Sequence, residues 1–191
     1  TKIFTDSDVD IIFISSPTNT HIKFIEEGIK FKKTIFCEKP LDLNINKIIK
    51  TFKKIKKFKP KIQLGFNRRY DPGHFSIKQD LKSNKIGKLE KIIITSRDPA
   101  PPSISYLKAS GGLFRDMMIH DFDICRFYLE NDEISEVQAF ASSFDKIYKK
   151  IDDHELAVVT MKSKKGVLCV ITNSRHCSFG YDQRIELFGK K

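Results

Sequence analysis

Three short apolar runs in the first third of the chain predict β-strands. Residues 9–14, 34–37 and 62–66 are rich in isoleucine, phenylalanine and valine, and each run is followed by polar or turn-forming residues. Because residues 9–14 are largely apolar, we expect this strand to be buried on both faces of a sheet.

Two amphipathic helices are predicted between these strands. Isoleucine and phenylalanine recur at spacings of three and four residues over 22–29 and again over 45–58. Thr20 or Asn19 is the expected N-cap of the first helix. Strands that alternate with helices at this spacing predict a parallel α/β layer over residues 1–66.

The pattern changes in residues 67–191, which predict a second domain of α+β type. A helix is expected over about 71–84, and a second helix is expected to run unbroken from Gly111-Gly112 to about residue 129. Strands are expected at 89–96, 137–144, 155–161, 167–173 and 184–188. Because the last four follow one another closely, they predict an antiparallel or mixed sheet.

Composition limits the class of protein. The 191 residues are 40% hydrophobic and 31% charged, which is typical of one or two compact domains, and no apolar run is long enough for a membrane span. The net charge of +11 raises the possibility of nucleic acid or an anionic membrane as partner. Eight lysines, however, fall within 47–61, on the polar face of a predicted helix. We interpret them as a solvated face, and expect neither nucleic acid nor membrane as a partner.

The four cysteines show no repeated spacing and no C-x-x-C pair. They are Cys37, Cys125, Cys169 and Cys177. This density is low for a disulfide scaffold, so we expect reduced thiols and a cytoplasmic protein. A reactive role for Cys37 stays open at this point, because it precedes a lysine of interest by two residues.

Polar residues follow each of the three predicted parallel strands. They are the segments Ser15–His21, Glu38-Lys39 and Asn67–Arg69. Active groups of such sheets gather beyond the carboxyl ends of the strands. This placement predicts a site there, although a lysine after a strand is more often simply solvated.

Asp116 and His120 are four residues apart in a predicted helix. Residues at this spacing lie on one face, so a carboxylate and an imidazole can address one ligand. An ordinary helical ion pair explains the same spacing. A third reading adds Asp123 and makes the three residues metal ligands; no second histidine cluster supports it, and we expect no metal.

Five motifs occur in order along the chain, followed by Gly180-Tyr181-Asp182. They are SPTNTH at 16–21, FCEKPL at 36–41, GFNRRYD at 65–71, TSRDP at 95–99 and IHDFD at 119–123. Over essentially all 191 residues, their order and spacing resemble the Gfo/Idh/MocA family of nicotinamide-dependent sugar and polyol oxidoreductases. The resemblance is strongest to members that oxidise myo-inositol.

The resemblance implies roles for particular residues. It implies a Rossmann domain over 1–66 and a substrate-binding and oligomerisation domain over 67–191. Positions matching the catalytic residues are Lys39, Asp116 and His120. Those matching the cofactor site are Ser16, Pro17, Asn19, His21, Glu38 and Lys39, and those matching the polyol pocket are Asn67, Arg68, Asp98 and Tyr181.

The implied chemistry is oxidation of a ring hydroxyl to a ketone with NAD as hydride acceptor, NADP being the alternative. His120 would take the hydroxyl proton, and Lys39 would stabilise negative charge on the oxygen. Asp116 would bind a substrate hydroxyl and orient His120. The complete protein would form a homodimer or homotetramer.

One feature departs from the family pattern. The sequence contains no Gly-x-Gly-x-x-Gly turn to hold a pyrophosphate. We therefore expect a fragment of a longer enzyme, lacking segments at both ends and inactive alone. Two other functions stay open: an oxidoreductase acting on another sugar or polyol, and a sensor of the same fold without catalytic activity.

Overall fold

A computed structural model describes residues 2–191. The described residues fall into two compact units, one ending at Phe66 and the other beginning at Asn67. Among them, no helix combines the length and the apolar character needed to cross a membrane.

The first unit is built on a three-stranded parallel sheet. Its strands are β1 (Ile11–Ile14), β2 (Thr34–Cys37) and β3 (Ile62–Leu64), paired in the order β1-β2-β3. Its helices are α1 (Lys2–Thr5), α2 (Thr18–Lys30) and α3 (Ile45–Ile55), the last followed by a 3-10 turn at Lys56–Phe58. The parallel α/β layer expected from the apolar pattern is confirmed.

The prediction that β1 is buried on both faces is wrong. Ile12 and Ile14 are buried in the core beside residues of α2, whereas Ile11 and Phe13 are 63% and 62% exposed. Phe13 stacks on Phe36 of β2 with ring centroids 4.6 Å apart. Burial therefore alternates along this strand. The sequence does not show the alternation, because isoleucine and phenylalanine also occupy the exposed face.

The cap of α2 also differs from the expectation. The helix begins at Thr18 after Pro17, and no side chain caps its first turn. The Thr20 hydroxyl instead donates to the carbonyl of Pro17 at 2.7 Å. In contrast, Asn44 caps α3, since its side chain accepts from the backbone N–H groups of Asn46 and Lys47.

The second unit contains a five-stranded mixed sheet. Its strands are β4 (Leu89–Arg97), β5 (Ile134–Ser142), β6 (Leu156–Ser163), β7 (Leu168–Ser174) and β8 (Asp182–Gly189). They are ordered β5-β6-β7-β4-β8. Strand β4 pairs in parallel with β7, and every other pair in this sheet is antiparallel. The mixed sheet arises because β4 lies between β7 and β8, which are consecutive in sequence.

Five helices accompany this sheet. They are α4 (Pro72–Lys82), α5 (Ile104–Ser110), α6 (Gly112–Asp116), α7 (Ile119–Leu129) and α8 (Lys146–Lys150). The prediction of α4 is close, but the short helices α5 and α8 were not expected. They lack the length over which a 3.6-residue period is visible.

The unbroken helix expected from Gly111-Gly112 to residue 129 is wrong. It is interrupted after Asp116, and a new helix begins at Ile119. At the break, the N–H groups of Met117 and Met118 both donate to the carbonyl of Leu113, and both methionine side chains are buried in the core. Asp116 and His120 therefore belong to two successive helices.

Candidate active site

Two loops of the first unit, directly after β1 and β2, carry the predicted cofactor residues Ser16, Pro17, Glu38 and Lys39, and the first turn of α2 carries Asn19 and His21. The sheet joins these loops, because the N–H of Glu38 donates to the carbonyl of Ile14 at 2.8 Å. In the second loop the Lys39–Pro40 peptide bond is cis. Ser16, Glu38 and Lys39 are half-buried, and Pro17 and Asn19 are exposed.

His21 links these two loops and does not present a nitrogen to a ligand. The ring is 1% exposed, with Nδ1 2.8 Å from the carbonyl oxygen of Pro40 and Nε2 2.7 Å from that of Ser16. Both ring nitrogens are thus occupied by backbone groups. The histidine therefore joins the loop after β1 to the loop after β2, and its implied role as a cofactor residue stays a prediction.

Glu38 is packed against the backbone at the end of β3. A Cβ atom on Gly65 would lie 3.1 Å from the carboxyl carbon of Glu38. The glycine therefore allows the carboxylate to lie close to the main chain. One carboxylate oxygen of Glu38 also accepts from the N–H of Lys39 at 3.3 Å.

Cys37 does not have the environment of a reactive thiol. Its side chain is fully buried, and burial raises the pKa of the thiol to about 12, with a smaller contribution from the charge of Glu38. The thiolate is the reactive form, and a high pKa makes it scarce at neutral pH. We therefore assign Cys37 to the core of the first unit.

In the second unit, the parallel pair β4 and β7 sets the position of two charged residues. The register places Arg97 beside Ser174 at the carboxyl ends of these strands. Asp98 and Arg175 are the next residues, and the N–H of Asp98 donates to the carbonyl of Ser174 at 3.0 Å. The strand-end rule that applies to the first unit therefore also locates polar groups here.

Asp116 lies at the end of α6 and is held through both carboxylate oxygens. The hydroxyl of Tyr106, on α5, donates to Oδ1 at 2.7 Å. Nη1 of Arg175 donates to Oδ2 at 3.4 Å. Residues of two other segments therefore hold the Asp116 carboxylate in place.

The burial of this cluster shifts two pKa values upward. Burial is the main cause for Asp98, while nearby Arg175 opposes the shift and Asp116 adds to it. For Tyr106, burial and the hydrogen bond to Asp116 raise the pKa to about 12. The phenol is therefore a stable hydrogen-bond donor to Asp116 at neutral pH.

Asp121, next to His120, connects α7 to the sheet. It is fully buried, and Oδ1 accepts from Ser96 on β4 at 2.8 Å while Oδ2 accepts from Asn173 on β7 at 2.8 Å. Ser96 and Asn173 face one another in the parallel register. Arg68 forms an ion pair with the same carboxylate. These contacts fix the first turn of α7, where His120 lies.

Asp123, the third ligand of the metal site considered from the sequence, pairs with an arginine. Its two oxygens form a forked ion pair with Arg69, at 2.8 Å to Nε and 2.6 Å to Nη2. No group of three or more metal-ligating side chains is found among residues 2–191.

Three of the four residues implied for the polyol pocket line one cleft. Asn67, Arg68 and Tyr181 surround a cleft of about 600 Å³, together with Asp71 and His74. The fourth, Asp98, does not line this cleft and belongs to the cluster around Arg175. Within the second unit, the structure thus brings together Asn67, Arg68 and Tyr181 as one set and Asp98 and Asp116 as another.

Sequence reasoning missed the partners that hold these residues. They are Tyr106, Asp121, Asp153, Ser96, Asn173 and Arg175. Asp121 and Ser96 did offer a signal, since they lie inside the IHDFD and TSRDP motifs. The others come from distant segments of the chain, and no periodicity connects them to Asp116 or His120.

Comparison with known protein families assigns both units. Residues 1–66 match the oxidoreductase family with an NAD-binding Rossmann fold, GFO_IDH_MocA, and residues 75–191 match the GFO/IDH/MocA C-terminal domain. The chain is 44% identical to myo-inositol 2-dehydrogenase of Thermotoga maritima, over 100% of this chain and 57% of that protein.

Solved structures give the same assignment. A putative myo-inositol dehydrogenase from Sinorhizobium meliloti 1021 matches with a TM-score of 0.95 at 41% identity, covering 100% of this chain and 58% of that one. Scyllo-inositol dehydrogenase from Lactobacillus casei, solved with NAD(H) and scyllo-inositol, matches with a TM-score of 0.89 at 32% identity and the same coverage. The chain therefore spans little more than half the length of the proteins it matches.

Proposed function

Because the chain belongs to the Gfo/Idh/MocA family of oxidoreductases, we propose that it is part of an NAD-dependent dehydrogenase that oxidises a ring hydroxyl of myo-inositol to the ketone. The observation that supports this proposal is that Tyr106 and Arg175 donate hydrogen bonds to the two carboxylate oxygens of Asp116. Asp116 lies four residues before His120. The relatives' names supply the substrate class: the relatives at 40% and 44% identity are named inositol 2-dehydrogenases.

The loops of the first unit fit the ribose and nicotinamide end of the cofactor. Ser16 offers a hydroxyl, Glu38 a carboxylate and Lys39 an ammonium group at the carboxyl ends of two parallel strands. This donor set suits ribose hydroxyls, with Pro17 and Asn19 beside it. The sequence holds no glycine-rich turn that would fit the pyrophosphate.

When bound, the nicotinamide accepts the hydride. In the proposed reaction, His120 takes the proton from the substrate hydroxyl as general base. The proposed role of the Lys39 ammonium is to stabilise negative charge on a substrate oxygen, and that of Asp116 is to accept a hydrogen bond from a hydroxyl. Asn67, Arg68, Asp98 and Tyr181 orient the ring.

The test is NADH formation by the full-length protein that contains this chain, with myo-inositol, scyllo-inositol and a panel of other sugars and polyols. We expect the highest kcat/KM with an inositol. His120→Ala should lower kcat by about 10²–10⁴-fold while the affinity for NAD+ stays the same. A higher kcat/KM with a sugar or polyol outside the inositols would support the alternative of an oxidoreductase for that compound. Ligand binding without turnover would support the alternative of a sensor without catalytic activity.

We further propose that the complete protein assembles as a homodimer or homotetramer through one face of the five-stranded sheet. Phe140, Val158, Leu168 and Phe188 are 67%, 43%, 50% and 53% exposed. Exposed apolar area of this kind favours burial against a copy of the same surface. We place the protein in the cytoplasm, and the free state of all four cysteines supports this location.

A further inference from the structure

Arg175 is the largest side chain in the structure with less than 2% exposure. Its side chain is 1% exposed, and its guanidinium lies between two carboxylates. Nη1 is 3.4 Å from Oδ2 of Asp116, and Nη2 is 3.5 Å from Oδ2 of Asp153. A buried cation is tolerated only when nearby charges compensate it, so the two aspartates account for the burial of Arg175.

Asp153 also holds the other end of α6. Its Oδ1 accepts from the N–H of Leu113, in the first turn of the helix, at 2.8 Å. The preceding glycine is required here, because Gly112 has a φ of +84° and a Cβ atom would lie 2.8 Å from the same oxygen. The contact thus depends on both the aspartate and the glycine.

One chain of contacts therefore spans the whole of α6. It runs from Leu113 through Asp153 and Arg175 to Asp116, while Tyr106 holds the second oxygen of Asp116. A five-residue helix is too short to be stable by itself, so its orientation depends on such tertiary contacts.

We propose that Arg175 and Asp153 are positioning residues that fix α6 and so hold the Asp116 carboxylate in place for a substrate hydroxyl. The inference rests on the proposed function for its consequence in catalysis. Neither residue reaches the substrate in this proposal, because the guanidinium and the Asp153 carboxylate are buried. Both act through Asp116.

The shape of the arginine side chain fits this position. Nη1 of its planar guanidinium donates to Asp116, while Nη2 lies at ion-pair distance from Oδ2 of Asp153 with no hydrogen bond between these two atoms. A lysine at residue 175 keeps the charge but has a single nitrogen, which cannot occupy the positions of Nη1 and Nη2 at once. Arg175→Lys therefore separates the positioning role from the mere presence of a positive charge.

The test compares three variants of the full-length protein with the wild type. Arg175→Lys keeps the charge. The double variant Arg175→Met/Asp153→Asn removes the buried cation together with the charge of Asp153, so that Asp116 is the only one of the two aspartates left without its compensating charge. Arg126→Met is the matched control, since Arg126 is 62% exposed and pairs with Glu133 on the surface. We expect kcat to fall about tenfold in Arg175→Lys and further in the double variant, with KM for NAD+ unchanged. The control should retain the wild-type kcat.

Hydrogen exchange of peptides that cover Gly112–Asp116 provides a readout that does not depend on turnover. Both Arg175 variants should exchange faster in α6 than the wild type, while peptides of β6 and the Arg126→Met control should not change. Wild-type exchange in α6, or wild-type kcat in Arg175→Lys, would overturn the proposal. If the wild type oxidises no polyol, the proposed function fails, and hydrogen exchange still decides whether Arg175 holds α6.

Discussion

At the scale of single residues, the contacts separate the side chains predicted to bind a ligand from the buried side chains that hold those residues in place. His21 and Asp121 are each buried and hydrogen-bonded to two or more segments of their own unit. They have no surface to offer a substrate. In the proposed site, we expect His21 to act through Ser16, Glu38 and Lys39 in one unit, and Asp121 to act through His120 in the other.

Replacing His21 tests this division in the first unit. His21→Asn shortens the side chain, so the two carbonyls of Ser16 and Pro40 can no longer be joined. Loss of buried hydrogen bonds worth about 1–3 kcal/mol should loosen the loops and raise KM for NAD+ about tenfold or more. Steady-state kinetics of the full-length protein provides the measurement. KM for the polyol should stay within about twofold, and an equal rise in both constants would contradict the assignment.

Asp98 provides a prediction about stability and pH. Burial raises the pKa of this carboxyl above its value in the unfolded chain, so the folded state binds more protons between the two pKa values. The contribution of Asp98 to stability therefore falls as pH rises through that range. We expect Asp98→Asn, which carries no charge, to be more stable relative to wild type at about pH 7 than at about pH 4.

Urea unfolding of the 191-residue chain at the two pH values measures this difference. Asp80→Asn is a suitable control, because that residue lies on α4 and pairs with Lys85 at the surface. A gain that is equal at both pH values would show that Asp98 does not titrate differently in the folded and unfolded states.

At the scale of elements, helix ends depend on a small number of side chains. Asn44 accepts from the N–H groups of Asn46 and Lys47, at 3.0 and 3.3 Å, and so caps α3. The rest of this helix carries lysines on its exposed face and buries Thr51 and Ile55. Its stability therefore depends on the cap as well as on packing.

Removing this cap has a predictable cost. Asn44→Ala should lower the free energy of unfolding by about 1 kcal/mol, because two N–H groups of the first turn lose their acceptor. Asn46→Ala, in the same turn and also exposed, is the control and should change stability much less. Chemical denaturation of both variants decides between them, and equal losses would rule out the cap as the cause.

At the scale of the whole molecule, the exposed face of the five-stranded sheet is the feature with the largest consequence. Phe140 and Val158 are direct partners across β5 and β6, and both are exposed. Apolar side chains in adjacent strands form a continuous surface.

We expect the full-length protein to sediment as a dimer or larger assembly, and Phe140→Glu/Val158→Glu to shift it towards the monomer. The reason is that two carboxylates would be buried without partners in a contact between copies. Phe52→Glu is the control, since Phe52 is 40% exposed on α3 in the other unit. A wild type that sediments as a monomer at all concentrations would contradict the proposed assembly.

The sequence by itself determined the class of each unit and most of its elements. Local periodicity was sufficient for α2, α3, α4 and the strands, because each pattern lies within one segment of the chain. The five ordered motifs were sufficient for the family. The separation between the two kinds of architecture was also visible, since alternating strands and helices give way to consecutive strands after Tyr70.

Only the tertiary structure decided which side chains hold the site together. Asp116 meets Arg175 across 59 positions of sequence, and Arg175 meets Asp153 from a different strand end. The antiparallel pairing of β7 with β6 brings Arg175 near Asp153, since the N–H of Arg175 donates to the carbonyl of Glu155. The contact of Arg175 with Asp116 depends on the packing of α6. Local patterns do not encode these tertiary arrangements, so Arg175, Tyr106 and Asp153 gave no signal. The break between α6 and α7 was not visible in the sequence for the same reason. The two methionines at the break are buried in a core that includes residues of distant strands, and a local pattern does not show that packing.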